Sequence, residues 1–98
     1  MGSPVARLLH LNFKKAQDCD YFLLKNEKDC RELEKGALQR SVVRVDDKHL
    51  IIISLFNSEE DAEMIFQRFR EWTNSFITDD DVESITIIGD LEYNAVYS

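Results

Sequence analysis

Histidine, proline and glycine are scarce in this chain of 98 residues, with two, one and three copies respectively. The two histidines, His10 and His49, are too few for the ligand sets that hold zinc or iron. The two cysteines, Cys19 and Cys30, lack the Cys-x-x-Cys spacing of metal and redox motifs, so no metal site is expected. On one helix they would share a face but stand about 16 Å apart along its axis, too far for a disulfide. Free thiols in a cytoplasmic protein are the expectation. So little glycine also rules out a Gly-rich phosphate loop, and neither a nucleophile elbow nor a paired-carboxylate constellation is present.

Long apolar runs are missing too. None approaches the roughly 20 residues of a membrane span, and no signal peptide precedes the first strand, so no membrane partner is expected. Met1-Gly2 opens like a myristoylation site, but Ala6 stands where Ser or Thr is wanted; Met1-Gly2-Ser3 reads equally as a cloning remnant. Basic residues number 12 against 19 acidic ones and are scattered among them, for a net charge of −7. A phosphate-binding patch needs clustered Lys and Arg, so nucleic acid is not an expected partner. The acidity reads as solubility.

What is present is one strong stretch, His49 to Phe76. Its first half, HLIIISLF, is apolar on both alternating faces, with Ile51, Ile53 and Leu55 on one and Leu50, Ile52 and Phe56 on the other. A half-exposed strand would alternate polar with apolar, so this strand is covered on both sides. Ser58 then reads as an N-cap, with Glu59, Glu60 and Asp61 at the positive end of a helix. Ala62, Ile65, Phe66, Phe69, Trp72 and Phe76 recur at three- and four-residue spacing and form its apolar stripe.

The rest arranges itself around that stretch. Val5 to Phe13 is a strand with Val5, Leu9, Leu11 and Phe13 on one face, Arg7 near their start, and Ala6, Leu8, His10 and Asn12 on the other. Residues 14–35 are helical by pattern, either continuous with a polar notch at Asn26 or broken there, and Gly36 is a C-cap signal. Leu38 to Val45 and His49 to Phe56 make a hairpin over Asp46-Asp47-Lys48. Val82 to Ile88 is the last strand, and Leu91 to Tyr97 keeps a strand's period beyond it. The chain length fits a single domain spanning residues 1–98, burying roughly 65% of its unfolded surface.

The order β-α-β-β-α-β is the ferredoxin-like α+β arrangement, with an antiparallel four-stranded sheet and two helices on one face. Its first and third strands are central, and these are the most apolar strands here. The helix-free face would leave an apolar patch exposed, which a second copy would cover sheet against sheet. A homodimer is therefore expected.

Read this way, the chain resembles the dimeric α+β-barrel superfamily, within it the antibiotic-biosynthesis-monooxygenase-like group. The resemblance covers nearly the whole chain and rests on the element order, the GALQRSVVRVDDKHLIIISLFNSEEDAEMI region and the β-like tail. It implies a tail reaching toward the partner and a pocket between sheet and helices that works without flavin or metal; no cofactor is expected. In the haem-degrading branch it implies an Asn on the first strand, a Trp on the second helix and a later His as iron ligand. Asn12 and Trp72 match the first two, but no His follows His49, which disfavours haem.

His10, Asn12 and Trp72 are thus the candidate pocket-lining residues, and His10 is the candidate proton carrier, histidine being the side-chain type suited to proton transfer near neutral pH. Each has a plainer reading: a satisfied core or rim histidine, a cap for the first helix, and a core aromatic. Two functions remain open. One is a cofactor-independent monooxygenase-like enzyme acting on a small organic molecule; the other is a non-catalytic dimeric module that binds a ligand or a protein. A cavity of a few hundred Å³ between sheet and helices would favour a ligand site, and a solid core the module.

Overall fold

A computed structural model of the chain describes residues 4–95 and Tyr97; the Met1-Gly2-Ser3 segment lies outside the described residues. The elements run β1 (Val5–Phe13), α1 (Ala16–Leu33), β2 (Gln39–Asp46), β3 (His49–Phe56), α2 (Glu59–Asn74) and β4 (Val82–Asp90). They form one antiparallel sheet in the order β2-β3-β1-β4, with β3 and β1 central as their apolar sequences require.

Alternation decides which side chains meet the helices. Val5, Arg7, Leu9, Leu11 and Phe13 of β1 are buried, and so are Leu50, Ile52, Ser54 and Phe56 of β3. Register places them side by side: Val5 opposite Phe56, Arg7 opposite Ser54, Leu9 opposite Ile52 and Leu11 opposite Leu50. These rows carry the core. Leu9, Leu11, Phe13, Leu50 and Ile52 pack with Cys19, Phe22 and Ile77, while Val5 and Phe56 pack separately with Ala62 and Ile65.

Helix α1 is continuous. Its notch at Asn26 is filled from the sheet, where Arg40 Nη1 donates to Asn26 Oδ1 at 2.6 Å. That hydrogen bond satisfies the one polar residue that would otherwise interrupt the buried side. After α1 the backbone turns at Gly36 with φ of 100°, a conformation that disfavours any side chain. A Cβ there would also stand 3.3 Å from Ile65 Cδ1, so Gly36 lets the turn close against α2.

Helix α2 starts where its cap predicts, with the Asp61 amide donating to Ser58 Oγ at 3.2 Å. It stops at Asn74, so Phe76, the last residue of the predicted stripe, sits in the following turn. Ser75 Oγ donates to the Trp72 carbonyl at 2.6 Å and competes with helix continuation there. Trp72 Nε1 donates to Asp29 Oδ2 at 2.8 Å, clipping α2 to α1.

The tail begins where the sheet ends. Strand β4 pairs with all nine residues of β1 and runs to Asp90, and Leu91 then donates to the Pro4 carbonyl at 2.9 Å. Beyond that point β1 has ended, and the described residues from Leu91 onward are not strand. The two-residue period is there, but among the described residues no strand lies beside it.

Phe22 is fully buried and meets Phe13, Phe69, Trp72 and Phe76 at centroid distances of 5.3–6.4 Å. Phe22→Ala is expected to cost about 3–5 kcal/mol in urea denaturation. A loss below about 1 kcal/mol would contradict this packing of α1 on the sheet.

Candidate functional site

The helices lie over β1 and β3, and β4 extends past them. Ile88 remains 47% exposed although it sits on the helix side of the sheet, opposite Arg7. The uncovered strip makes a cleft of about 290 Å³ between α2 and β4. Leu9 and Leu11 form its floor, Phe66 and Phe69 its helix wall, and Val82 and Ser84 its far side. Arg70, Asn74 and Asp79 stand at the rim. With Thr73, five of the ten lining residues are apolar and five polar, a mixture of apolar surface and hydrogen-bonding groups that can hold a small organic molecule.

Next to the cleft, and sharing its Leu9 and Phe69 walls, is a smaller cavity of about 20 Å³. Its base is a polar row across three strands: Arg40 of β2 is opposite Ser54 of β3, which is opposite Arg7 of β1. Arg7 is 7% exposed and Ser54 8%. The Arg7 guanidinium stacks on Phe66, 3.4 Å from the ring centroid, and Arg40 faces Phe69 at 5.5 Å. Stacking of this kind holds a planar cation at low hydration cost.

Charge balance in the row is incomplete. Arg40 Nη1 reaches Glu34 Oε1 at 3.4 Å as well as Asn26, whereas Arg7 pairs with no carboxylate among the described residues. In both arginines Nη2 is buried without a hydrogen-bond partner. Burial lowers the Arg7 pKa to about 10, so the group stays charged at neutral pH. Burial also lowers that of Arg40, against the charge and hydrogen bond of Glu34, which raise it.

The residues singled out from sequence are not brought together. His10 and Asn12 lie on the helix-free face, where His10 is opposite Ile51 and Ile85, and Asn12 opposite His49 and Glu83. The larger apolar side chains Leu9, Leu11 and Phe13 take the helix side, and alternation turns His10 and Asn12 outward. The His10 ring stacks on His49 at 5.5 Å with a 13° tilt. His49 Nδ1 contacts Asp46 Oδ1 at 2.6 Å, and the Lys48 amide, with His49, holds the Asp46 carboxyl below its ordinary range. Trp72 lies across the sheet from them, against Phe22, Phe69 and Phe76. A single pocket of His10, Asn12 and Trp72 is therefore corrected to two separate locations.

Sequence reading noted Arg7 on its apolar face but missed Ser54 and Arg40. Both polar residues of the central strands break an apolar alternation, and the hairpin register aligns the third. Cys19 is fully buried and burial raises its thiol pKa; Cys30 is half-buried, and both are free. Among the described residues no group of three or more His, Cys, Asp and Glu side chains is placed to hold a metal ion.

No protein-family model and no curated protein sequence matches the chain. Solved structures do. SnoaB, a cofactor-independent oxygenase from Streptomyces nogalater, superposes with a TM-score of 0.70 at 6% identity, covering 95% of this chain and 97% of its own. The ActVA-Orf6 monooxygenase of Streptomyces coelicolor, solved with nanaomycin D, gives 0.70 at 10% identity over 98% and 94%. A dimeric ferredoxin-like protein from an uncultured marine organism gives 0.70 at 12% over 98% and 94%. The chain thus has the ferredoxin-like fold that these structures share.

Proposed function

We propose that the protein is a small homodimeric enzyme of the cofactor-independent oxygenase type, binding its organic substrate in the cleft between α2 and β4. The cleft of about 290 Å³ carries this reading, because it gives the helix side of the sheet an open chamber with an apolar floor and not a solid core. The likeness to SnoaB and to ActVA-Orf6 agrees with it.

In such chemistry the substrate supplies the electrons. A benzylic CH2 group and dioxygen give a carbonyl and water, once a proton has left the carbon. The protein's part is to hold the substrate, exclude water and take that proton. Asp79 is the carboxylate among the cleft-lining residues and is the group assigned to the proton here. Leu9, Leu11, Phe66 and Phe69 offer a surface for a flat ring system.

The helix-free face supports the dimer. Val43, Ile53, Ile85 and Ile87 are between 38% and 60% exposed there, and Leu8 and Ile51 join them across the register. A second copy covers that patch, the tail after Leu91 meets the partner, and the interface exceeds about 1,000 Å² in total.

Nanaomycin D and reduced polycyclic phenols are the first probes. The expected result is binding together with dioxygen uptake on an oxygen electrode, and a fall of about 10²-fold in kcat for Asp79→Asn with binding retained. Binding without any uptake across the panel would leave a ligand-binding module. For the dimer, Ile85→Lys with Ile87→Lys is expected to sediment as a monomer at micromolar concentration, and removal of residues 91–98 to weaken association. Wild-type protein sedimenting as a monomer would refute the dimer.

A further inference from the structure

The Arg7–Ser54–Arg40 row has no task in the packing that explains it. It interrupts an otherwise apolar core, and of its two buried cations only Arg40 reaches a carboxylate, Glu34. Each arginine keeps a buried Nη2 with no partner, and both line the same small cavity. The Arg7 residue is 7% exposed and the Arg40 side chain 5%, so bulk water does not satisfy them.

We infer that this row is an anion site, which takes the carboxylate of a small organic acid whose apolar body extends into the α2–β4 cleft. The cavity of about 20 Å³ has room for one oxygen-sized group beside both arginines. A carboxylate oxygen there accepts from unused guanidinium donors and supplies the negative charge that the row lacks. Contact with the Phe66 ring at 3.4 Å holds the Arg7 guanidinium in place beforehand, and Arg40 lies 5.5 Å from Phe69. Leu9 and Phe69 border both spaces, so the row and the cleft are neighbours, and Phe69 between them is only half-buried.

This inference rests on the cleft being the ligand chamber, but not on oxygen chemistry. The test is a binding titration of the full chain with benzoate, acetate and the neutral isostere benzamide, read by calorimetry and by Tm. Benzoate is expected to raise Tm and to bind at least about tenfold more tightly than benzamide, a difference of about 1.4 kcal/mol. Arg7→Met and Arg40→Met should each lose at least about tenfold in benzoate affinity. Without ligand, Arg7→Met should be as stable as wild type or more so, because it removes a buried unpaired charge and keeps most of the side-chain volume. No response to benzoate or acetate overturns the inference, as does Arg7→Met with lowered Tm and unchanged benzoate affinity. Benzoate binding with no dioxygen uptake by any aromatic substrate keeps the site and removes the oxygenase reading. Dioxygen uptake indifferent to substrate charge and to both arginines does the reverse.

Discussion

Two guanidinium groups buried between a sheet and a helix are the constraint on which the rest depends. The polar row stands between the Val5–Phe56 row and the Leu9–Ile52 row and divides the apolar core into two clusters. Each buried donor left without a partner costs about 1–3 kcal/mol, a sizeable share of a small domain's stability. Phe66 and Phe69 on α2, and Asn26 and Glu34 at α1 and its end, are all used to accommodate it. The placement of both helices is therefore tied to the same two cations.

The cleft follows from a mismatch of widths. Four strands present more apolar surface than two helices cover, and the helices settle over the central pair, where the side chains are largest. Strand β4 is left as a ledge. Its helix-side residues are Val82, Ser84, Thr86 and Ile88, and of these Val82 and Ser84 border the cleft opposite Phe66 and Phe69. A fold with a third helix over β4 would have a core in place of a chamber.

Much of the fold was legible in the sequence because its signals are local. The apolar run His49–Phe56, the cap at Ser58 and the stripe through Ile65 and Trp72 each specify one element without reference to another. The site was less legible because it exists only through register. Arg7, Ser54 and Arg40 lie far apart in the chain, and only the β1–β3 and β2–β3 ladders align them. His10 and Asn12 failed as partners of Trp72 for a related reason: a two-residue period separates the faces of a strand but does not say which one the helices take. The tail carries a strand's period, and among the described residues no strand pairs with it.

Trp72 is the sole tryptophan of the chain, and its surroundings make it a built-in reporter. Its indole N–H is anchored on Asp29, and its ring touches Phe69, which borders both cavities. Any rearrangement of Phe69 changes the packing on one side of the indole while the Asp29 anchor stays fixed. The emission of an unlabelled protein should therefore follow events in the chamber directly, with no second fluorophore of its kind to dilute the signal.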